Sequence, residues 1–248
     1  MDKFSVLQQY FGHSSFRPGQ EQVVDAIVSG QDVLGVMPTG AGKSVCYQVP
    51  AMLMPGLTLV ISPLISLMQD QVAALEEEGV HAACLNSALP EGLYSTILRA
   101  ALEGDYKILY VAPERLLTDS FLYLAMHARI AFVAVDEAHC VSQWGQDFRP
   151  SYLKIAEFRE LSHRYDTVLV EGAEFISRLP YRPVIGAFTA TATEQVKQDI
   201  IALLQLNQPF TLTTGFDRPN LYFGVARPRD KERYIEEYIL DHRDRSGC

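Results

Sequence analysis

The chain has 248 residues, 48% of them hydrophobic and 21% charged, which allows a sizeable core and excludes a disordered polymer. No apolar run approaches the roughly 18 residues of a membrane-spanning helix, and the opening Met1-Asp2-Lys3-Phe4 is too polar for a secretory leader. A formal net charge of -9 argues against gripping nucleic acid through the average field, so any phosphate contact must come from a local groove.

In chain order, short β-branched runs occur at 32–37, 57–62, 82–85, 107–111, 131–135 and 183–189. Amphipathic stretches separate them, which is the signature of a parallel sheet flanked by helices. Residues 20–29 place Val23, Val24, Ile27 and Val28 on one helical face, with Gly30 as the stop. Residues 64–78 end at Gly79, and 90–103 end at Gly104, in the same way. A helix over 193–204 opens on a Thr193 cap and carries Val196, Ile200 and Leu203. The pattern predicts an α/β domain over 1–208, a mostly parallel sheet with helices on both faces. Beyond Asn207 a Pro/Thr/Gly stretch and Asp217-Arg218-Pro219-Asn220 read as a linker, followed by a strand at 221–226 and a helix at 231–242. One strand and one helix bury no core. Residues 209–248 are therefore expected to be a linker and the incomplete start of a second domain. The tripeptide Ala-Glu-Phe occurs at 156–158 and again at 173–175, either by chance or as the flank of an insertion at 159–175 expected to lie at the periphery. Cys46, Cys84, Cys140 and Cys248 form no CxxC pair and read as reduced thiols of a cytosolic protein, with no zinc site.

Two motifs carry chemistry. Thr39-Gly40-Ala41-Gly42-Lys43-Ser44 lies between a predicted strand and a predicted helix. Glycines there let backbone N–H groups wrap phosphates, and the helix N-terminus adds a positive dipole. Lys43 is placed to reach the β- and γ-phosphates and Ser44 to ligate Mg²⁺. Phe132-Val133-Ala134-Val135-Asp136-Glu137-Ala138-His139 puts two carboxylates at the C-terminal end of an apolar strand, where doubly wound sheets bind ligands. Asp136 is a candidate to hold Mg²⁺, and Glu137 to orient and deprotonate an attacking water.

With others in order, these motifs resemble superfamily 2 helicases and specifically the RecQ family. The resemblance rests on Phe16-Arg17-Pro18-Gly19-Gln20, the phosphate loop, and Ser62-Pro63-Leu64-Ile65-Ser66-Leu67-Met68-Gln69. It continues through Ala112-Pro113-Glu114-Arg115 and the run from Asp136 to Pro150, then Thr189-Ala190-Thr191 and Phe216-Asp217-Arg218-Pro219-Asn220. It implies a RecA-like lobe binding ATP with Mg²⁺, followed by the start of a second such lobe. By the same resemblance Gln20 reads the adenine edge and Arg17 packs on the base. His13 stands where other members often carry an aromatic. Thr39, Gly40, Ala41 and Gly42 cradle phosphate, and His139, Thr189 and Thr191 couple ATP state to the rest of the machine. Gln143, Trp144, Phe148 and Arg149 form an aromatic-rich loop that senses single-stranded DNA, and aromatic stacking is worth roughly 1–3 kcal/mol per base. Ser62 and Arg115 are expected to touch the DNA backbone.

The implied activity is a 3′-to-5′ DNA helicase of recombination and repair, acting as a monomer in the cytoplasm on single-stranded or 3′-tailed DNA. The family's second lobe supplies an arginine worth roughly 10³–10⁵ in rate, so the 248 residues alone are expected not to unwind. An RNA-clamping module and a non-catalytic nucleotide-binding fragment are the alternatives.

Overall fold

The computed structural model describes residues 1–116, 118–142, 182–215, 227–228 and 230–241. Seven strands form one all-parallel sheet: β1 (Val33–Val36), β2 (Leu57–Ile61), β3 (Ala82–Leu85), β4 (Ile108–Val111), β5 (Ile130–Val135), β6 (Val184–Thr189) and β7 (Phe210–Thr213). Their spatial order is β3-β4-β2-β5-β6-β1-β7. The helices are α1 (Lys3–Phe11), α2 (Gln20–Val28), α3 (Lys43–Leu53), α4 (Ile65–Glu77), α5 (Glu91–Glu103), α6 (Asp119–His127), α7 (Glu194–Leu203) and α8 (Lys231–Asp241). Among the described residues no helix is long and apolar enough to cross a membrane.

Alternation along each strand builds two cores. Leu59, Leu109, Val133, Ile185 and Leu34 point to one face and pack with residues of α5, α6 and α7. Val60, Tyr110, Phe132, Phe188 and Val33 point to the other and pack with α2, α3 and α4. Strands buried on both faces read as continuous apolar runs, and parallel sheets require that. The six strands and four helices predicted by periodicity within 1–208 are present, and so is the helix predicted at 231–242, with ends displaced by a residue or two.

Three elements are absent from the sequence reading: α6 (Asp119–His127), α1 and β7. α1 is capped by Asp2, whose carboxylate accepts from the backbone N–H of Phe4 and Ser5, and it buries Val6 and Leu7 against α2 and α3. Phe210–Thr213, expected to belong to the linker, is instead an edge strand paired with β1 in the register Val33↔Phe210 to Val36↔Thr213. Its neighbour Gly19 adopts φ +86, and a Cβ there would stand 2.6 Å from the Leu212 side chain. The first compact unit accordingly runs to Gly215, and Phe216–Cys248 is a separate unit. Of that unit α8 is described, with Arg233 and Glu237 paired at 2.9 Å along its surface. The insertion at 159–175 and the strand expected at 221–226 lie outside the described residues.

A buried carboxylate clasps the lower end of the sheet. The Asp32 side chain is 0% exposed. It accepts two hydrogen bonds from the Arg182 guanidinium, one from Ile185 N–H at 3.0 Å and one from Asn207 N–H at 2.7 Å. Asp32 thus ties the entry to β1 to the entry to β6 and to the turn after α7. Asp32→Ala leaves a guanidinium and two backbone donors without their acceptor, so it should cost about 3–5 kcal/mol of unfolding free energy, and Asp32→Asn less. Urea denaturation checks this; an Asp32→Ala protein within about 1 kcal/mol of wild type would refute the clasp.

Candidate nucleotide site

Three strand ends meet at the site. The phosphate loop leaves β1, Asp136 ends β5, and Thr189 ends β6, which the sheet order places between them. Gly40 and Gly42 adopt φ +82 and +80, so both stand in the left-handed region that favours glycine. At Gly42 close approach adds a second demand, because a Cβ would come 2.5 Å from Gln20 Nε2. α3 starts at Lys43, which points its first N–H groups and its dipole at the loop.

Gln20 and Arg17 brace that loop from below. Gln20 is 3% exposed. Its Nε2 donates to the carbonyls of Ala41 (3.1 Å) and Gly42 (3.0 Å), and its Oε1 accepts from Arg17 N–H at 2.8 Å. Arg17 Nη1 donates to the Gly40 carbonyl. The resemblance implies adenine contacts for both side chains, and the structure shows that they also brace the loop backbone, which no local pattern reveals. His13 and Thr39 are exposed. Beside Arg17 lies a shallow cavity of about 480 Å³ lined by Phe16, Pro18, Gly19, Glu21 and Asp25.

The acidic turn faces the loop. Glu137 has φ +48, a conformation costing about 1–3 kcal/mol for a non-glycine residue. Its Oε1 lies 3.1 Å from Lys43 Nζ and its Oε2 3.3 Å from His139 Nδ1. His139 Nδ1 also lies 2.9 Å from Thr189 Oγ1, and Thr189 Oγ1 donates to the Thr191 carbonyl at 3.1 Å. Since the Thr189 hydroxyl spends its proton on Thr191, His139 Nδ1 is the donor to Thr189. A continuous chain therefore runs Lys43–Glu137–His139–Thr189–Thr191. Thr191 joins it through its backbone carbonyl.

These contacts push the titrating groups apart. Burial raises Asp136 to about 6, against the opposing pull of the Lys43 charge and the Glu137 N–H. Glu137 is held below the ordinary range by His139 and by Lys43, in spite of its partial burial. The neighbouring Cys140 sulfur and the Glu137 carboxylate raise His139 to about 9, so its imidazolium persists at neutral pH.

Ser44 occupies the first turn of α3, on the loop side, and Asp136 is 5% exposed at the strand end. Among the described residues no cluster of three His, Cys, Asp or Glu side chains could hold a metal by itself. One hydroxyl and one carboxylate suit Mg²⁺, which keeps several waters and takes its remaining ligands from substrate phosphates. Ser62 is corrected: it is 2% exposed with its Oγ buried, so it is not on the surface a DNA backbone could reach. Arg115 is half-buried, donates twice to the Asn86 carbonyl (3.2 and 3.1 Å) and stacks over the Tyr94 ring at 4.8 Å. Its charge is thereby anchored in place. Gln143, Trp144, Phe148 and Arg149 lie outside the described residues. Sequence reasoning passed over Asp199, whose one signal is that it follows the buried Val196 by three positions on α7.

The sequence pattern of DEAD/DEAH box helicases matches residues 17–199. The chain belongs to that family. It is 44% identical over 245 residues to the "ATP-dependent DNA helicase RecQ" of Bacillus subtilis (strain 168), covering 98% of this chain and 38% of that protein. It is 41% identical over 242 residues to the protein of the same description from Pasteurella multocida (strain Pm70), covering 98% and 35%. The RecQ resemblance read from the motifs is thus borne out, and the chain spans under two fifths of these relatives' lengths. Among solved structures it is similar to the helicase MrfA bound to DNA, with TM-score 0.62 and 15% identity, covering 86% of this chain and 29% of that one. It is also similar to a hypothetical ATP-dependent RNA helicase from Sulfolobus tokodaii, with TM-score 0.57 and 17% identity, covering 86% and 56%. These similarities show a shared RecA-like helicase fold.

A metal can bind Asp136 only when its carboxylate is ionised, and protons compete for it below about pH 6. Mg²⁺-dependent nucleotide affinity should therefore be flat from pH 8 to 7 and fall about tenfold per unit once pH drops below that value. Titrations of a fluorescent nucleotide at fixed Mg²⁺ across pH 5–8 measure it; affinity that stays level to pH 5 would remove Asp136 from the metal site.

Proposed function

We propose that this chain is the ATP-binding and ATP-hydrolysing lobe of a RecQ-type 3′-to-5′ DNA helicase working in recombination and repair. The observation that carries the reading is the Lys43–Glu137 ion pair at 3.1 Å, which joins a phosphate loop to an acidic strand end. Helicase activity belongs, in this reading, to a protein of the relatives' full length. The 248 residues alone bind nucleotide and do not separate strands.

In the proposed reaction the loop N–H groups and the α3 N-terminus receive the β- and γ-phosphates. Lys43 exchanges the Glu137 carboxylate for phosphate oxygens. Ser44 and Asp136 would hold Mg²⁺, which would supply positive charge to offset that of the nucleotide phosphates. Glu137, released from Lys43, orients a water whose oxygen forms a bond to the γ-phosphorus while the bond to the β–γ bridging oxygen breaks. The water proton passes to Glu137, and the products are ADP and inorganic phosphate. His139 stays protonated and hydrogen-bonded to Thr189, so a change at Glu137 is felt at the β6–α7 junction.

Lys43→Ala should weaken nucleotide binding at least tenfold, through loss of a charge-assisted contact of about 1.5–3 kcal/mol. Glu137→Gln should bind within about twofold of wild type and lose about 10²–10⁴ in turnover in the full-length protein. Nucleotide titration and phosphate release, with single-stranded DNA and RNA as parallel activators, measure both. Unchanged turnover in Glu137→Gln would remove Glu137 as the base, and stimulation by RNA alone would replace the DNA assignment.

A further inference from the structure

Among the described residues, two side-chain hydrogen bonds tie the acidic turn to the segment formed by β6 and α7. The first is His139 on Thr189, part of the chain described above. The second involves residues outside that chain. Ala138–Val141 form a single 3₁₀ turn, closed by Cys140 N–H on the Glu137 carbonyl (2.9 Å) and by Ser142 N–H on the His139 carbonyl (3.1 Å). At its exit the Ser142 hydroxyl, 0% exposed, donates to Asp199 Oδ2 at 2.6 Å. Asp199 Oδ1 accepts from Gln195 Nε2 at 2.9 Å, one helical turn earlier on α7. A short hydroxyl-to-carboxylate bond from a buried donor is among the stronger, better-oriented contacts a side chain makes. The second carboxylate oxygen fixes the rotamer that offers it.

Both ties end on one piece of chain. Thr189 closes β6, and α7 follows at once, with Thr193 capping it on Val196 N–H. The turn that carries Glu137 and the helix that carries Asp199 are therefore braced at the turn's middle and at its exit. The Ser142–Asp199 bond adds a directional tie to a turn whose Ala138, Cys140 and Val141 pack in the core beside Val196 and Ile200.

We infer that Asp199 is a positioning residue, which clamps the exit of the catalytic turn to α7 so that a change at Glu137 is transmitted along the chain beyond Ser142. The coupled part of this inference rests on the nucleotide-binding reading above.

The test uses the whole chain, with Asp199→Ala, Asp199→Asn and Ser142→Ala. Asparagine can still accept from Ser142, and the Gln195 amide can turn to meet the new NH₂, so Asp199→Asn should behave as wild type. Without nucleotide, hydrogen exchange at the Ser142 amide should be about tenfold faster in Asp199→Ala and in Ser142→Ala, with melting temperatures lowered by about 2–6 °C and the fold retained. With nucleotide, the emission of Trp144, the sole tryptophan and two residues past Ser142, should respond in wild type and Asp199→Asn. Asp199→Ala should bind nucleotide within about twofold of wild type yet lose most of that response. Wild-type exchange at Ser142 in both alanine variants would overturn the clamp. A full Trp144 response in Asp199→Ala would overturn its role in transmission. Failure of the wild-type chain to bind nucleotide would sink the ATPase reading instead, and the exchange comparison would still decide the clamp.

Discussion

The site depends on one ion pair, between an ammonium at the start of a helix and a carboxylate at the end of a strand 94 positions further along the chain. Lys43 and Glu137 can meet only because the sheet runs β5-β6-β1, which brings the ends of β5 and β1 to either side of β6. That order also explains Thr189. Its strand is the intervening one, so its hydroxyl is the nearest group through which the acidic turn and the β6–α7 junction can touch. Beneath it Phe188 packs against Tyr47 of α3, with ring centroids 5.5 Å apart, so the same strand end supports the helix behind the phosphate loop. The fold brings its reactive groups together by crossover connections and the fixed pitch of a parallel sheet, and side chains then lock the arrangement.

The pairing has a chemical consequence. A carboxylate held beside an ammonium and an imidazolium is a weak base, and Glu137 is held low by those two neighbours. In the proposed reaction, phosphates that draw Lys43 away would remove one source of that depression and raise the basicity of Glu137. Asp136 is tuned the other way. Burial holds it near 6, where a divalent cation and a proton compete on close terms. Adjacent carboxylates on one turn thus receive different tasks from different surroundings, one facing a cation and the other sunk into the sheet end.

Much of this was legible in the sequence. The strands buried on both faces appear as apolar runs, and the phosphate loop and the acidic strand end lie where the motif context requires. What was missed has physical reasons. α1 begins on a polar run whose cap, Asp2, is read only once its N–H partners are known. α6 (Asp119–His127) is apolar around most of its circumference, so the stripe of Phe121, Leu124 and Ala125 that it buries does not stand out in the sequence. β7 is four residues long, half exposed and preceded by Pro209, so nothing local separates it from a linker. At the site, residue type was a good guide to chemistry and a poor one to partners. Gln20 was legible as a polar reader, yet its partners are the carbonyls of Ala41 and Gly42, more than twenty positions away. Ser62 looked like a surface hydroxyl because the strand end that buries it is set by β4 and β5. Asp32 and Asp199 carried no motif at all, because a carboxylate acting through several long-range donors leaves no local spacing to read.

The most direct measurement is the Lys43 Nζ to Glu137 Oε1 separation in a crystal structure of this chain with Mg²⁺ and a non-hydrolysable ATP analogue. The account predicts that it lengthens from 3.1 Å to beyond hydrogen-bonding range, with Nζ on the β- and γ-phosphate oxygens and the His139–Thr189 bond intact. A nucleotide bound in the loop with the Lys43–Glu137 pair still closed would contradict it.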